Sequence, residues 1–221
     1  MKHCLAFIIG VFFLLTASAQ SSFELPDKPF ILNLPVDQVL MKQVELEAIP
    51  FGLSQDELSF LYWVNYFRQD PTLFYTACLV PFLKQFPQVD GQNAKSLKTD
   101  LFTIGSLPYF RLNPKLSILA REHALDLSLH ADGISHTSST GRTFAMRVQA
   151  VGFRQSAAEN IYAGKDGSLA SLVLLLLDIG VNGLGHRKNL LQANFIETGI
   201  SIKAHKNGER VILVQEFGST E

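Results

Sequence analysis

TGISIKAHKNGERVILVQEFG, residues 198–218, decides the fold class. Two runs rich in β-branched and aliphatic residues, 198–205 and 210–218, flank Lys206-Asn207-Gly208-Glu209. Asn-Gly between such runs signals a tight hairpin, because both central positions take positive φ. A further strand is expected near 159–163. Upstream of it the apolar periodicity is helical. Ser54-Gln55-Asp56-Glu57 forms a capping box ahead of Leu58, Leu61, Tyr62, Asn65 and Tyr66. Residues 71–86 read as a second helix bent at Pro81. Asn113-Pro114 is an N-cap with proline at the first helical position. The stripe Leu116, Leu119, Ala120, His123, Ala124 and Leu127 follows it. Short helices are expected at Phe144–Ala150 and at 187–191. SLASLVLLLLD, 168–178, carries leucine on every side and so reads as a fully buried helix. Helices followed by a terminal hairpin give an α+β fold.

The rest of the chain constrains less. Residues 20–53 hold four prolines among apolar residues, and are read as an extended N-terminal segment packed on the domain 54–221. Residues 87–108 are polar and punctuated by Gly and Pro, and are read as a long loop. The N-terminus, MKHCLAFIIGVFFLLTASAQ, joins basic Lys2 and His3 to an apolar run, Leu5–Leu15, and to Ala17-Ser18-Ala19. That order reads as a secretory signal, residues 1–19, cleaved after Ala19 and too short to span a membrane. The chain is therefore expected to be secreted or periplasmic, with no spanning segment after cleavage. Of its two cysteines only Cys78 would remain, so no intrachain disulfide can form. With 19 basic and 20 acidic residues, nothing suggests a nucleic-acid partner.

Three segments join an ionisable residue to a turn: His136 in GISHTSSTGRT, Glu159 in AAENIYAG, and Asp178 with His186 in LLLLDIGVNGLGHRKNLL. None makes a metal site by local spacing. H-E-x-x-H, C-x-x-C, G-x-S-x-G and a glycine-rich phosphate loop are all lacking. Each residue also has a plain reading. His136 could be a turn histidine, and His186 a helix-start residue bonded to a carbonyl. Glu159 could pair with Arg147 or Arg187, and Asp178 could sit in a helix-end network. His123 reads as a core histidine and Cys78 as a buried thiol. Arg147 and Asn160 read as loop-fixing residues. Arg187 and Lys188 read as solvated or carboxylate-paired surface.

Taken in order, the pieces LNPKLSILAREHALDLS (112–128), Ser135-His136, Arg147 with Gly152, AENIYAG (158–164), GHRKNLL (185–191), Phe195 with Gly199-Ile200, and QEFG (215–218) resemble the CAP superfamily. This is the domain of cysteine-rich secretory proteins, antigen 5 and pathogenesis-related protein 1. The likeness is greatest to its bacterial, disulfide-free branch. LYWVNYFRQDPTLF resembles that domain's first helix, so the resemblance spans about residues 56–218. It implies a three-layer α-β-α sandwich with a small antiparallel sheet flanked by helices. It also implies a cleft lined by His136, Glu159 and His186, with Asp178 in place of the usual helix glutamate. Gly185 would let the backbone pass beneath that cleft. Ala158 replaces the family's glycine. His136 and His186 would share a divalent ion, Zn2+ by donor chemistry. Three functions are then open: an exported binding module, a metal-assisted hydrolase of protein or cell wall with Glu159 as general base, or a lipid-binding domain. The partner would be a protein, peptide, glycan or lipid, and the chain a monomer.

Overall fold

The computed structural model describes residues 25–220 apart from 27, 131 and 132. The expected signal segment lies outside them. The chain runs through α1 (Gln38–Ala48), α2 (Gln55–Gln69), α3 (Pro71–Phe74), α4 (Val80–Gln85), α5 (Gln92–Thr103), β1 (Arg111–Leu112) and α6 (Pro114–His130). It continues through α7 (Phe144–Ala150), β2 (Ala157–Gly164), α8 (Ser168–Leu177), α9 (Gly185–Leu191), β3 (Phe195–Ala204) and β4 (Val211–Ser219). The sheet order is β1-β3-β4-β2.

Alternation along the strands sorts the two faces. Ile161, Ile212 and Val214 meet Ala120, Ala124 and Leu127 of α6 on one face. Tyr162, Leu213 and Phe217 meet α1, α2, α4, α5 and α8 on the other. The helix layers on both faces make the expected sandwich. Every residue from Leu169 to Leu177 is buried, as an all-round apolar helix requires. Gly199 lets α6 lie against β3, because a Cβ there would occupy the space of the Leu116 carbonyl.

Four expectations are corrected. The sheet is mixed rather than purely antiparallel, since β1 pairs in parallel with β3. Residues 20–53 are not extended throughout. Asp37 accepts from the N–H groups of Val39 and Leu40 at 3.0 Å each and starts α1, which Pro35 and Pro50 bracket rather than prevent. Residues 87–108 are not a loop throughout. Ala94, Leu97 and Leu101 recur at helical spacing and bury one side of α5. Finally, Pro81 does not simply bend one helix. A π-turn over Tyr75–Leu79 precedes it, and the Val80 N–H reaches back to the Tyr75 carbonyl.

Two carboxylates, half-buried Glu47 and buried Glu57, tie helices to the sheet. Glu47 of α1 accepts from the Leu112 N–H. Glu57 closes the capping box with Ser54 and also accepts from the Ile202 N–H at 2.9 Å.

Candidate functional site

The loop after α6 is fixed before it presents His136. Asp126 of α6 holds the Ser139 N–H at 2.7 Å, and the Ser138 N–H meets the Arg142 carbonyl at 2.9 Å. Thr143 then caps α7 through the Met146 N–H. This places Nδ1 of His136 at 2.7 Å from Glu159 Oε1. Arg147, on the last turn of α7, donates to both Glu159 oxygens at 2.9 Å and to the His136 carbonyl at 3.0 Å. Glu159 is sealed, whereas the His136 side chain is 21% exposed. The carboxylate takes Nδ1–H, so Nε2 is the nitrogen left to meet a ligand.

Two further groups close the cluster. His123 of α6 donates from Nε2 to the Ser135 carbonyl at 2.8 Å, and that nitrogen lies 3.8 Å from Glu159. Burial lowers its pKa, and the nearby Arg147 charge adds to this against the Glu159 carboxylate, so the ring is neutral. Glu216 stands opposite Glu159 on β4. Burial, then the Glu159 charge, push the Glu216 carboxyl well above its ordinary range. Burial pushes Glu159 upward too, but the His136 hydrogen bond and the Arg147 charge hold it well below. Two carboxylates side by side lack a donor, and both Glu216 oxygens have no hydrogen bond as acceptors. A protonated Glu216 supplies the missing donor to Glu159.

The second pair forms at the end of α8. Asp178 takes the left-handed conformation, φ 53°, and caps that helix through its N–H to the Leu174 carbonyl. Its carboxylate accepts from His186 N at 3.0 Å and from His186 Nδ1 at 2.7 Å. The turn between them bends at Gly180, Gly183 and Leu184, all at positive φ. Gly185 itself is not among the positive-φ positions. His186 is buried, and its Nε2 has no hydrogen-bond partner. Arg187 is buried as well, not solvated. It reaches Asp100 at 3.1 Å, Ser96 at 2.8 Å and the carbonyls of Leu176 and Asn93.

The expected four-residue cleft is thus two histidine–carboxylate pairs. Glu159 faces α6 and α7. Its neighbour Asn160 points the other way, donating to the His186 carbonyl at 3.1 Å. The first pair hangs on β2 through Glu159, and the second is tied to the same strand through Asn160. Among the described residues no group of three or more His, Cys, Asp and Glu could hold a metal ion.

Sequence reasoning missed two residues. Glu216 sits at an inward position of β4, between Val214 and Gly218, and a charge in that phase was the available signal. Arg68 lies four residues after Val64 on the buried side of α2. It is fully buried and donates to the carbonyls of Pro108, Leu190 and Phe195 at 2.6, 2.8 and 2.9 Å. Its guanidinium also lies 3.9 Å over the Phe110 ring.

The model of the cysteine-rich secretory protein family, CAP, matches residues 62–217. Three solved structures are similar at low identity. An extracellular protein containing a SCP domain from Bacillus anthracis has 20% identity and a TM-score of 0.47, over 75% of this chain and 40% of that one. The chain thus spans less than half the length of that protein. An outer surface protein from Borrelia burgdorferi has 18% identity and a TM-score of 0.43, over 63% and 92% of the two chains. The protein NaASP2, crystallised with Zn2+, has 15% identity and a TM-score of 0.42, over 76% and 81%. No curated protein matches. No described helix is long and apolar enough to cross a membrane.

Proposed function

The chain belongs to the CAP family, and from that premise we propose that it is an exported binding module presenting His136 as an oriented ligand-contacting imidazole. One observation carries this reading. Glu159 and Arg147 are buried and lock the ring of a histidine that is itself one-fifth exposed. A ring fixed on one side and open on the other is pre-organised for contact.

A divalent ion is the ligand that the donor chemistry favours. In both pairs a carboxylate holds Nδ1 and leaves Nε2 as donor, the arrangement common around metal-bound imidazoles. The buried, unpartnered Nε2 of His186 supports this. His136 and His186 are the residues that would hold Zn2+, which would supply a Lewis acid there. The hydrolase reading fares less well. A carboxylate held well below its ordinary pKa and saturated by Arg147 is a poor general base. The lipid reading also weakens, because the leucines of α8 are core rather than groove.

The test is a calorimetric zinc titration of residues 20–221 beside His136→Ala and His186→Ala. The reading expects about one ion per chain, weakened in each variant. No binding, or binding indifferent to both substitutions, removes the metal. A lack of any ligand whose affinity depends on His136, across protein, peptide, glycan and lipid panels, removes the binding role of that histidine. Sedimentation of the same sample checks the expected monomer.

A further inference from the structure

A large groove holds neither His136 nor His186. It lies between the approach to β2 (Arg154–Ala158), α9 with the segment leading into β3, and the end of β4, and measures about 1270 Å³. That exceeds the roughly 300–1,000 Å³ of small-molecule pockets, so an oligomeric ligand fits it better than a metabolite.

Its charge is one-sided. Arg154 and Lys188 line it, and both are exposed. Neither side chain has a hydrogen bond or ion pair among the described residues. Asp100, the carboxylate among the lining residues, is taken by Arg187 at 3.1 Å. Amides and hydroxyls such as Gln192, Asn194 and Ser219 offer hydrogen bonds, and Leu191 and Phe195 offer apolar surface. The walls are braced from inside. Arg68 holds the Leu190 and Phe195 carbonyls, and Arg187 ties α9 to the end of α8 and to α5.

We propose that this groove binds an acidic oligosaccharide, its charged groups meeting Arg154 and Lys188 and its hydroxyls meeting the amide and hydroxyl side chains between them. Two cations on separate walls suit charges that recur along a chain. They do not suit one compact phosphate, for which clustered backbone N–H groups would be expected. The first N–H groups of α9 are already occupied by Asp178. The lining offers side-chain hydrogen bonds suited to hydroxyls, and apolar carbon suited to the C–H faces of sugar rings. This favours a glycan over an acidic peptide.

The experiment is calorimetry of residues 20–221 with oligogalacturonate, with a neutral cello-oligosaccharide of equal length, and with poly-glutamate. The proposal expects oligogalacturonate to bind and the neutral chain not to. It expects Arg154→Ala and Lys188→Ala each to weaken binding roughly three- to five-fold, the scale of one exposed charge pair. Arg154→Glu/Lys188→Glu should abolish it. Both residues are exposed, so an unchanged melting temperature shows that the variants fold. His136→Ala should bind oligogalacturonate as wild type does, which separates this site from the histidine pair. No binding, equal binding of the neutral chain, stronger binding of poly-glutamate, or indifference to the charge reversal each overturns the proposal.

Discussion

Glu159 and Glu216 face each other across the β2–β4 ladder, both sealed from water, with one guanidinium, that of Arg147, beside them. Their environments pull them apart, so one is ionised and the other keeps a proton. Glu216 has a folded pKa raised above its unfolded one. Its contribution is therefore fully present below the ordinary carboxylate range and is lost as pH rises toward the folded value. Gln at 216 imitates the protonated form and can still donate to Glu159. Glu216→Gln should match wild type near pH 4 and exceed it at pH 7 by on the order of 1 kcal/mol, read from urea unfolding at both pH values.

Glu159 has the opposite sign. Its folded pKa is depressed, so its stabilisation is present above the ordinary carboxylate range and lost as pH falls through the folded value. Glu159→Gln leaves Arg147 buried beside no full charge. The cost should be about 3–5 kcal/mol at neutral pH. It should shrink toward acid, where wild type loses the same term. A pH-independent deficit in the same unfolding series would contradict this assignment.

Asp178 combines a left-handed backbone with two hydrogen bonds to His186. Asparagine tolerates that backbone but cannot accept with both ends of its amide. Asp178→Asn should cost about 1–3 kcal/mol. Asp178→Ala should cost roughly 1–2 kcal/mol more, through the Cβ penalty in the left-handed region without a local polar contact. Comparing the two in thermal melts separates the side-chain role from the backbone role.

Glycine at 199 and glycine at 208 should behave differently. A Cβ at 199 meets the backbone of Leu116, which cannot move without lifting α6 from the sheet. Gly199→Ala should cost about 3 kcal/mol or more, beyond ordinary overpacking, and often abolish soluble expression. Gly208 is left-handed, φ 71°, but has open space around it. Its alanine variant should cost only about 1–2 kcal/mol. Equal losses at the two positions would show that the α6 contact does not set the cost at residue 199.

Arg68→Met removes the donors that hold the segment 190–195. Breaking such a buried charged network should cost about 3–5 kcal/mol. Limited proteolysis should show new cleavage within residues 190–196, ahead of global unfolding. Cleavage elsewhere first would remove Arg68 from its bracing role.

The hairpin, the capping box, the α6 stripe and the buried leucine helix were legible, because each rests on a local period or a turn residue. Helices α1 and α5 were not. Proline content around α1 and polarity around α5 masked short apolar repeats that only tertiary partners make decisive. For the site, the residue types were readable and their pairing was not. His136 with Glu159 and His186 with Asp178 depend on how the loops after α6 and α8 fold back. Adjacent residues of β2 then serve the two networks, Glu159 the first and Asn160 the second. Glu216 escaped notice because a lone glutamate in a strand looks solvated until its phase is compared with Val214.

Helix α1 has a practical consequence for anyone expressing this protein in pieces. The family match begins at residue 62, inside α2, yet Leu40, Val44 and Ala48 belong to the same apolar core as Phe60 and Phe67. The Tyr62 hydroxyl accepts from the Asp37 N–H at 3.0 Å, and Glu47 satisfies β1. A fragment trimmed to the family boundary would split one helix, strip another from its seat and leave a greasy trough beside a bare strand edge. The apolar core therefore reaches beyond the region by which the family is recognised, back through α1 to its cap at Asp37.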